Sequence, residues 1–198
     1  MFPRLIAVAA LAVAIGIGLP IGTAQADPSP TLTEAAALTE ATHRRTVRIH
    51  FDAAPDEIQR ELLTRVDLYD PTIVEVRMDN ATSLTPGEIG VGSVRICVFE
   101  DGRELHEPIL VWEEGRAYAY TVDADASTMS LPVSEIVLIY DFAPAEDGGT
   151  NLTVRAFYEP AVSGTGPIID PVLTGTLRRT FQTAADVFGG EYLGDERP

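Results

Sequence analysis

The sequence predicts an α+β fold in which a curved antiparallel β-sheet wraps around one long C-terminal α-helix. Strand-like segments are separated by hairpin signals such as Asp101-Gly102 and Asp147-Gly148-Gly149, which favour an antiparallel meander. The segment 171–188 has apolar residues at helical spacing, so one face of a long helix is apolar. Such a helix buries that face only by lying across the sheet.

The first 26 residues have the three parts of a secretory signal. A positive charge at Arg4 precedes an apolar run of about 15 residues, and Ala24-Gln25-Ala26 forms a small-residue cleavage site. A membrane-spanning helix needs roughly 20 apolar residues, and Pro20 interrupts this run. We therefore expect residues 1–26 to be a signal peptide cleaved after Ala26, leaving a secreted or extracytoplasmic protein with no stable membrane insertion. Retention of the signal as an anchor is the alternative.

Residues 27–43 are expected to form a flexible leader before a single domain that covers residues 44–198. The leader begins Asp-Pro-Ser-Pro-Thr and continues with Ala, Glu and Thr, a composition typical of mobile termini. The chain is strongly acidic: its net charge is −16, and its 14 basic residues are all Arg. Because this charge repels phosphate backbones, we expect no nucleic-acid partner.

The domain is predicted to begin with a strand at 46–51, whose residues alternate between apolar and polar. A helix follows, opened by Pro55, with Ile58 and Leu62 facing inward. Six further strands are predicted at 74–78, 93–100, 105–112, 117–122, 135–143 and 151–158.

The last helix has the clearest predicted boundaries. Asp170 is expected to cap it, Pro171 to occupy its first position, and Gly189-Gly190 to end it. Its apolar stripe consists of Leu173, Leu177, Phe181, Ala184 and Phe188.

The only cysteine, Cys97, lies within an apolar strand. An exported protein with one thiol has no internal disulfide, so its core alone must stabilise it. We expect a buried structural thiol rather than a nucleophile.

No metal or nucleotide cofactor is expected. The three histidines, His43, His50 and His106, lack metal-ligand spacing to one another or to other ligand residues. Gly164-Thr165-Gly166 is followed by Pro167, which indicates a turn rather than a nucleotide-binding loop.

Several short strings, in this order, resemble the START-like or SRPBCC superfamily, which includes proteins described as polyketide cyclase/dehydrase and lipid transport. They are Ala53-Ala54-Pro55, Gly90-Val91-Gly92-Ser93-Val94-Arg95, Asp101-Gly102-Arg103-Glu104, Val111-Trp112-Glu113-Glu114 and Asp147-Gly148-Gly149-Thr150. The resemblance implies a helix-grip fold with an elongated apolar cavity between sheet and helix. It also implies a lipid, sterol, polyketide or hormone as ligand, with catalysis in only some members. Gln59 departs from the aromatic residue that relatives often carry in the first helix.

Strand parity suggests which side chains line such a cavity. Tyr118 and Tyr120 share a face of one strand, and Tyr140 and Tyr158 each lie among apolar residues on theirs. Their hydroxyls would orient a ligand within an apolar surround, with Phe181 of the helix roofing it. The alternative is that the tyrosines only pack the core, with their hydroxyls reaching solvent.

Glu107 is the most informative carboxylate, because it shares parity with Leu105, Ile109 and Val111. A buried carboxylate there would serve as an acid or base. The alternative is a strand-end residue at the rim, paired with an arginine such as Arg95 or Arg103.

These observations favour an exported carrier that holds a hydrophobic or amphipathic small molecule, lipid-like or polyketide-like. The second hypothesis is a cyclase/dehydratase-type enzyme that uses Glu107 and a tyrosine as acid and base. The third is an envelope-maintenance protein whose cavity is incidental. Nothing in the sequence indicates an oligomeric state.

Overall fold

The structure, a computed structural model, describes residues 36, 37 and 39–196 of the chain. The predicted signal peptide, residues 1–26, and the leader residues 27–35 lie outside the described residues. The first strand begins at His43, three residues before the predicted position 46.

Within the described residues, eight antiparallel strands form one curved sheet. They are β1 (His43–Phe51), β2 (Ile73–Asp79), β3 (Val94–Phe99), β4 (Glu104–Glu113), β5 (Ala117–Thr121), β6 (Val133–Pro144), β7 (Thr150–Pro160) and β8 (Gly190–Glu196). Their order across the sheet is β2-β3-β4-β5-β6-β7-β1-β8. Strands β2 to β7 are neighbours in chain order, which confirms the predicted meander.

Besides the helical residues 36 and 37, three helices accompany the described part of the sheet. Helices α1 (Pro55–Thr64) and α2 (Val66–Tyr69) connect β1 to β2, and α3 (Gly166–Phe188) connects β7 to β8. Helix α3 lies on the concave face of the sheet, where the rings of Phe181 and Tyr140 are 5.9 Å apart. The α+β prediction is therefore confirmed. No helix in the described residues is long and apolar enough to cross a membrane.

Gln59 fastens α1 to the turn between β4 and β5. Its side chain is fully buried, and its amide nitrogen donates to the carbonyls of Glu113 and Ala117 at 2.9 and 3.1 Å. Its amide oxygen accepts the N–H of Gly115 at 2.6 Å. These bonds satisfy buried polar groups that an aromatic residue at this position would leave unpaired.

Helix α3 begins at Gly166, before Asp170, so the prediction that Asp170 caps it is wrong. The carbonyl of Thr165 accepts the N–H of Ile168 at 2.9 Å and opens the first turn. Pro167 is compatible with this turn, because the first N–H groups of a helix have no intrahelical partner. The segment predicted to be a turn is therefore the start of the helix.

Asp170, as an interior residue of α3, joins the helix to β1 and β7. Its carboxylate accepts the Tyr158 hydroxyl at 2.6 Å, and it lies 2.6 Å from Nη2 of Arg45 and 3.0 Å from Nδ1 of His43. Arg45 also donates from Nε to the Thr174 hydroxyl at 3.0 Å. Although desolvation raises the pKa of Asp170, the Tyr158 hydrogen bond and the Arg45 charge hold it below its ordinary value.

A β-bulge in β4 changes which residues of that strand face inward. Ile109 pairs with Tyr120, but Val111 pairs with Ala119, so the register shifts between Ile109 and Val111. Tyr120 faces the concave side and Ala119 the convex side, which places Val111 on the face opposite Ile109. The prediction that Val111 shares a face with Glu107 is therefore wrong.

Strand β8 was not predicted. It pairs with β1 at one edge of the sheet, where Gly190 lies opposite Phe51 and Tyr192 opposite Ile49. Its sequence, Gly-Glu-Tyr-Leu-Gly-Asp-Glu, lacks the apolar alternation that marks a strand. Strand β8 has no buried face of its own, so backbone pairing with β1 holds it in place.

Candidate functional site

The concave face of the sheet and helix α3 enclose a cavity of about 290 Å³. Its lining is mostly apolar and comes from α2, β2, β3, β4, β5, β6 and α3. The apolar side chains that line it include Val66, Ile73, Leu105, Leu138, Leu177 and Phe181. The geometry is that of a small-molecule site, in which apolar walls supply area and a few polar groups fix orientation.

The cavity opens between the α2–β2 connection and α3. Tyr69, Asp70 and Thr72 on one side, and Thr176 and Thr180 on the other, line both the cavity and a neighbouring groove of about 430 Å³. The mouth is therefore more polar than the interior.

A buried ion pair, Arg95 with Glu107, lies in the cavity wall. Nε of Arg95 is 2.7 Å from Oε2 of Glu107, and the two residues are 3% and 5% exposed. The residues are direct cross-strand partners on β3 and β4, so the sheet itself brings them together. Nη1 of Arg95 donates to the Leu63 carbonyl at 3.4 Å.

Tyr120 and Cys97 complete the surroundings of this pair. The guanidinium carbon of Arg95 lies 4.4 Å from the centroid of the Tyr120 ring, a cation–π arrangement. Burial lowers the pKa of Arg95, but the charge of Glu107 raises it, and the result lies well above the ordinary value. Sγ of Cys97 lies 3.4 Å from the Glu107 carboxylate. Burial and this negative charge raise the pKa of Cys97, so the thiol stays protonated at neutral pH.

Four of the six residues predicted to bind ligand line the cavity: Glu107, Tyr120, Tyr140 and Phe181. Glu107 is paired with Arg95, as one hypothesis held, but it lies within β4 rather than at the rim. The rim placement is wrong because the pair faces the interior, where both side chains are nearly inaccessible.

Tyr118 and Tyr158 lie beside the cavity rather than on its wall. The ring of Tyr118 stacks on that of Tyr140, its cross-strand partner, with centroids 4.3 Å apart. The Tyr158 hydroxyl is committed to Asp170. None of the four predicted tyrosines is more than 6% exposed, so the alternative in which their hydroxyls reach solvent is wrong.

Burial keeps the tyrosine hydroxyls of the site neutral. It raises the pKa of Tyr118 and Tyr120 well above the ordinary value. It also raises the pKa of Tyr140, although the nearby Arg95 charge opposes that shift. At neutral pH Tyr120 and Tyr140, which both line the cavity, therefore carry protonated hydroxyls.

The lining residues that were not predicted as site residues include Arg95, Tyr69 and Cys97. Arg95 shares its face of the apolar strand β3 with Cys97, so an arginine at inward parity was the signal that could have found it. Tyr69 belongs to a helix of only four residues. A sequence that short has too little periodicity to predict which way its side chains point.

The site offers hydrogen-bond donors, a buried carboxylate at Glu107, a second carboxylate at Asp70 in the mouth, and an apolar wall. Its thiol is protonated and therefore a poor nucleophile. Within residues 36–37 and 39–196, no three His, Cys, Asp or Glu side chains are close enough together to hold a metal ion.

Solved structures share the fold at low sequence identity. A START superfamily protein from Mycobacterium smegmatis is 12% identical with a TM-score of 0.57, covering 73% of this chain and 97% of its own. Ara h 8.0201 is 15% identical with a TM-score of 0.54, covering 73% and 95%. The protein XoxI from Bacillus cereus is 15% identical with a TM-score of 0.54, covering 74% and 96%. These likenesses confirm the helix-grip fold.

No curated protein matches the chain at the level of sequence. A sequence profile described as polyketide cyclase/dehydrase and lipid transport, however, matches residues 42–189, which is most of the chain and nearly all of the domain. The order of strands, the long helix and the cavity between them agree with that match. The chain therefore belongs to the polyketide cyclase/dehydrase and lipid transport family.

Proposed function

We propose that the protein is an exported carrier that holds a hydrophobic or amphipathic small molecule, lipid-like or polyketide-like, between the sheet and α3. The observation that carries the proposal is an apolar cavity with one buried ion pair in its wall. The family and its fold support hydrophobic ligand binding in this space. A cavity of about 290 Å³ lies near the lower end of the roughly 300–1,000 Å³ range of small-molecule sites.

The ion pair supports a ligand with a polar end. A buried pair contributes little net stability, because removing both charges from water costs about as much as their attraction returns. The pair instead fixes the orientation of the guanidinium. Nε of Arg95 donates to Glu107, and Nη1 donates to the Leu63 carbonyl. Among the described residues no hydrogen bond is assigned to Nη2, which leaves that donor for an oxygen of the ligand. Tyr120 and Tyr140 offer further hydroxyls on the same wall.

Export is part of the proposal, and its support is the signal-like sequence of residues 1–26. A carrier outside the cytoplasm would meet its ligand in an aqueous space, where an apolar molecule needs a protein to hold it. N-terminal sequencing of the mature protein tests this part: we expect Asp27 as the first residue. An intact Met1 on a membrane-bound protein would contradict it.

The second candidate is an enzyme of cyclase/dehydratase type. The observation in its favour is that Glu107 and two tyrosines line one cavity. The hydrogen bonds favour the carrier, because the same carboxylate oxygen contacts both Arg95 and Cys97. That carboxylate is committed to holding the guanidinium rather than to moving a proton.

Native mass spectrometry of protein purified from its own host tests the carrier directly. We expect a co-purified apolar molecule whose mass identifies its class. In a second assay, an environment-sensitive apolar dye should bind and be displaced by fatty acids or polyketide-like aromatics, which should be recovered unchanged. Chemical conversion of the competitor would favour the enzyme. If no apolar probe binds, the cavity is incidental and both candidates fail.

A further inference from the structure

The convex face of the sheet, which is turned away from α3, carries a buried apolar patch. We call it the outer patch: Val111, Ala117, Ala119, Val137 and Ile139. These residues alternate along their strands with those that line the cavity, so they belong to the opposite face. None is more than 7% exposed.

Few apolar side chains pack against the outer patch. In the described residues, only Leu110, Phe157 and Ala36 pack against the outer patch as partly buried apolar side chains. Val137 and Ile139 stand higher above the sheet than the alanines beside them, yet they are 2% and 1% exposed. Of these three apolar neighbours only Ala36 lies outside the sheet, and its methyl group is too small to cover five residues.

The chain that precedes β1 runs across the convex face toward this patch. Thr42 donates from its N–H and its hydroxyl to Glu159 on β7, at 3.2 and 2.9 Å. Thr39 donates from its hydroxyl to Glu135 on the next strand, β6. Ala36 then contacts the outer patch, which lies on β4, β5 and β6.

The backbone can cross one strand of the sheet with every three residues. Strands lie about 4.8 Å apart, and each step of three residues is long enough to cross one of them. Residues 42, 39 and 36 therefore contact β7, β6 and the outer patch in turn. Nine residues, 27–35, lie between the predicted cleavage site and Ala36.

We propose that the leader segment 31–42 docks on the outer patch and completes the domain on its convex side. The occupant is this chain's own amino-terminal segment, because its contacts with β7 and β6 already deliver it there. Being tethered at His43, the segment has a high effective concentration at the patch and outcompetes other apolar surfaces. This inference is independent of the ligand and of the cavity.

Adjacent alanines provide the test. Ala36 packs on the outer patch and Ala37 is exposed, so a cysteine at each position differs in environment but not in sequence context. We expect a maleimide to label Ala36→Cys about tenfold or more slowly than Ala37→Cys, because reaction at position 36 must wait for local opening. The unsubstituted protein gives the background, since Cys97 is buried.

A second pair of variants reads out stability. Ala36→Glu should lower the melting temperature by about 2–4 °C or more, whereas Ala37→Glu should leave it unchanged. Equal labelling rates at the two positions would overturn the proposal. Protection of position 36 that rises with protein concentration would also overturn it, because a second copy would then be the cover.

Discussion

Arg95 and Glu107 face each other across β3 and β4 as a buried ion pair, with 2.7 Å between Nε and Oε2. Removing either partner leaves an uncompensated charge in an apolar wall. We expect Arg95→Met or Glu107→Leu alone to lower the free energy of unfolding by about 3–5 kcal/mol. The double variant should lose much less than the sum, because it leaves no charge behind.

Urea unfolding of the single and double variants measures this coupling as a double-mutant cycle. The exposed pair Arg103 and Asp101 is the control, since Arg103→Met should change stability by about 1 kcal/mol or less. Additive losses at Arg95 and Glu107 would show that the two charges do not depend on each other.

The tyrosines should separate into two functional groups. Tyr120→Phe or Tyr140→Phe removes a hydroxyl from the cavity wall and should weaken binding of an oxygen-bearing ligand by about 0.5–1.5 kcal/mol. Tyr158→Phe removes the hydrogen bond to Asp170 and should lower stability while leaving ligand affinity unchanged. Dye displacement and urea unfolding measure the two effects. Equal loss of affinity in Tyr158→Phe would contradict the assignment.

Phe181 should be the main anchor of α3. It is 1% exposed and lies against Tyr140. Phe181→Ala should lower the free energy of unfolding by about 3–5 kcal/mol, the usual cost of truncating a buried phenylalanine. Gln182→Ala, at the exposed neighbouring position, is the control. A loss below about 1 kcal/mol would mean that the helix is held elsewhere.

The Asp170 cluster should make stability depend on acid. The folded-state pKa of Asp170 lies below its ordinary value of 3.8. Its contribution is therefore complete above that value and is lost as the pH falls through the folded-state pKa. The difference in unfolding free energy between the unsubstituted protein and Asp170→Asn should be large at pH 7 and should shrink on acidification below about pH 4. Asp186→Asn, on an exposed position of the same helix, should show no such difference.

The thiol of Cys97 should be unreactive in the native protein. The thiol is 1% exposed, and burial raises its pKa. Reductant should leave the melting temperature unchanged, and Cys97→Ala should cost about 1 kcal/mol. Rapid labelling of the native protein by a thiol reagent would contradict the buried placement.

Local patterns were sufficient to predict most of the fold. Alternation placed Val47, Ile49 and Phe51 inward on β1, and the glycines at 189 and 190 ended the last helix where predicted. Both signals depend only on neighbouring residues. Strand β8 escaped prediction because its stability comes from pairing with β1, which its own sequence does not encode.

The candidate site was harder to predict, because parity assigns a face but not a depth. Tyr118 and Tyr120 share a face, yet only Tyr120 lines the cavity, while Tyr118 stacks beside Tyr140. Arg95 was considered only as a partner for Glu107. Its place in the wall follows from cross-strand register, which a single sequence does not reveal.

The bulge in β4 also gives the protein an optical reporter. Because the register shift turns Trp112 to the inner side, the only tryptophan of the chain lies 6.3 Å from the ring of Tyr118, centroid to centroid. Tyr118 in turn stacks on Tyr140, which lines the cavity. The excitation energy of these tyrosines is expected to transfer to the indole of Trp112. The emission of one native fluorophore would then follow the inner wall without any attached dye.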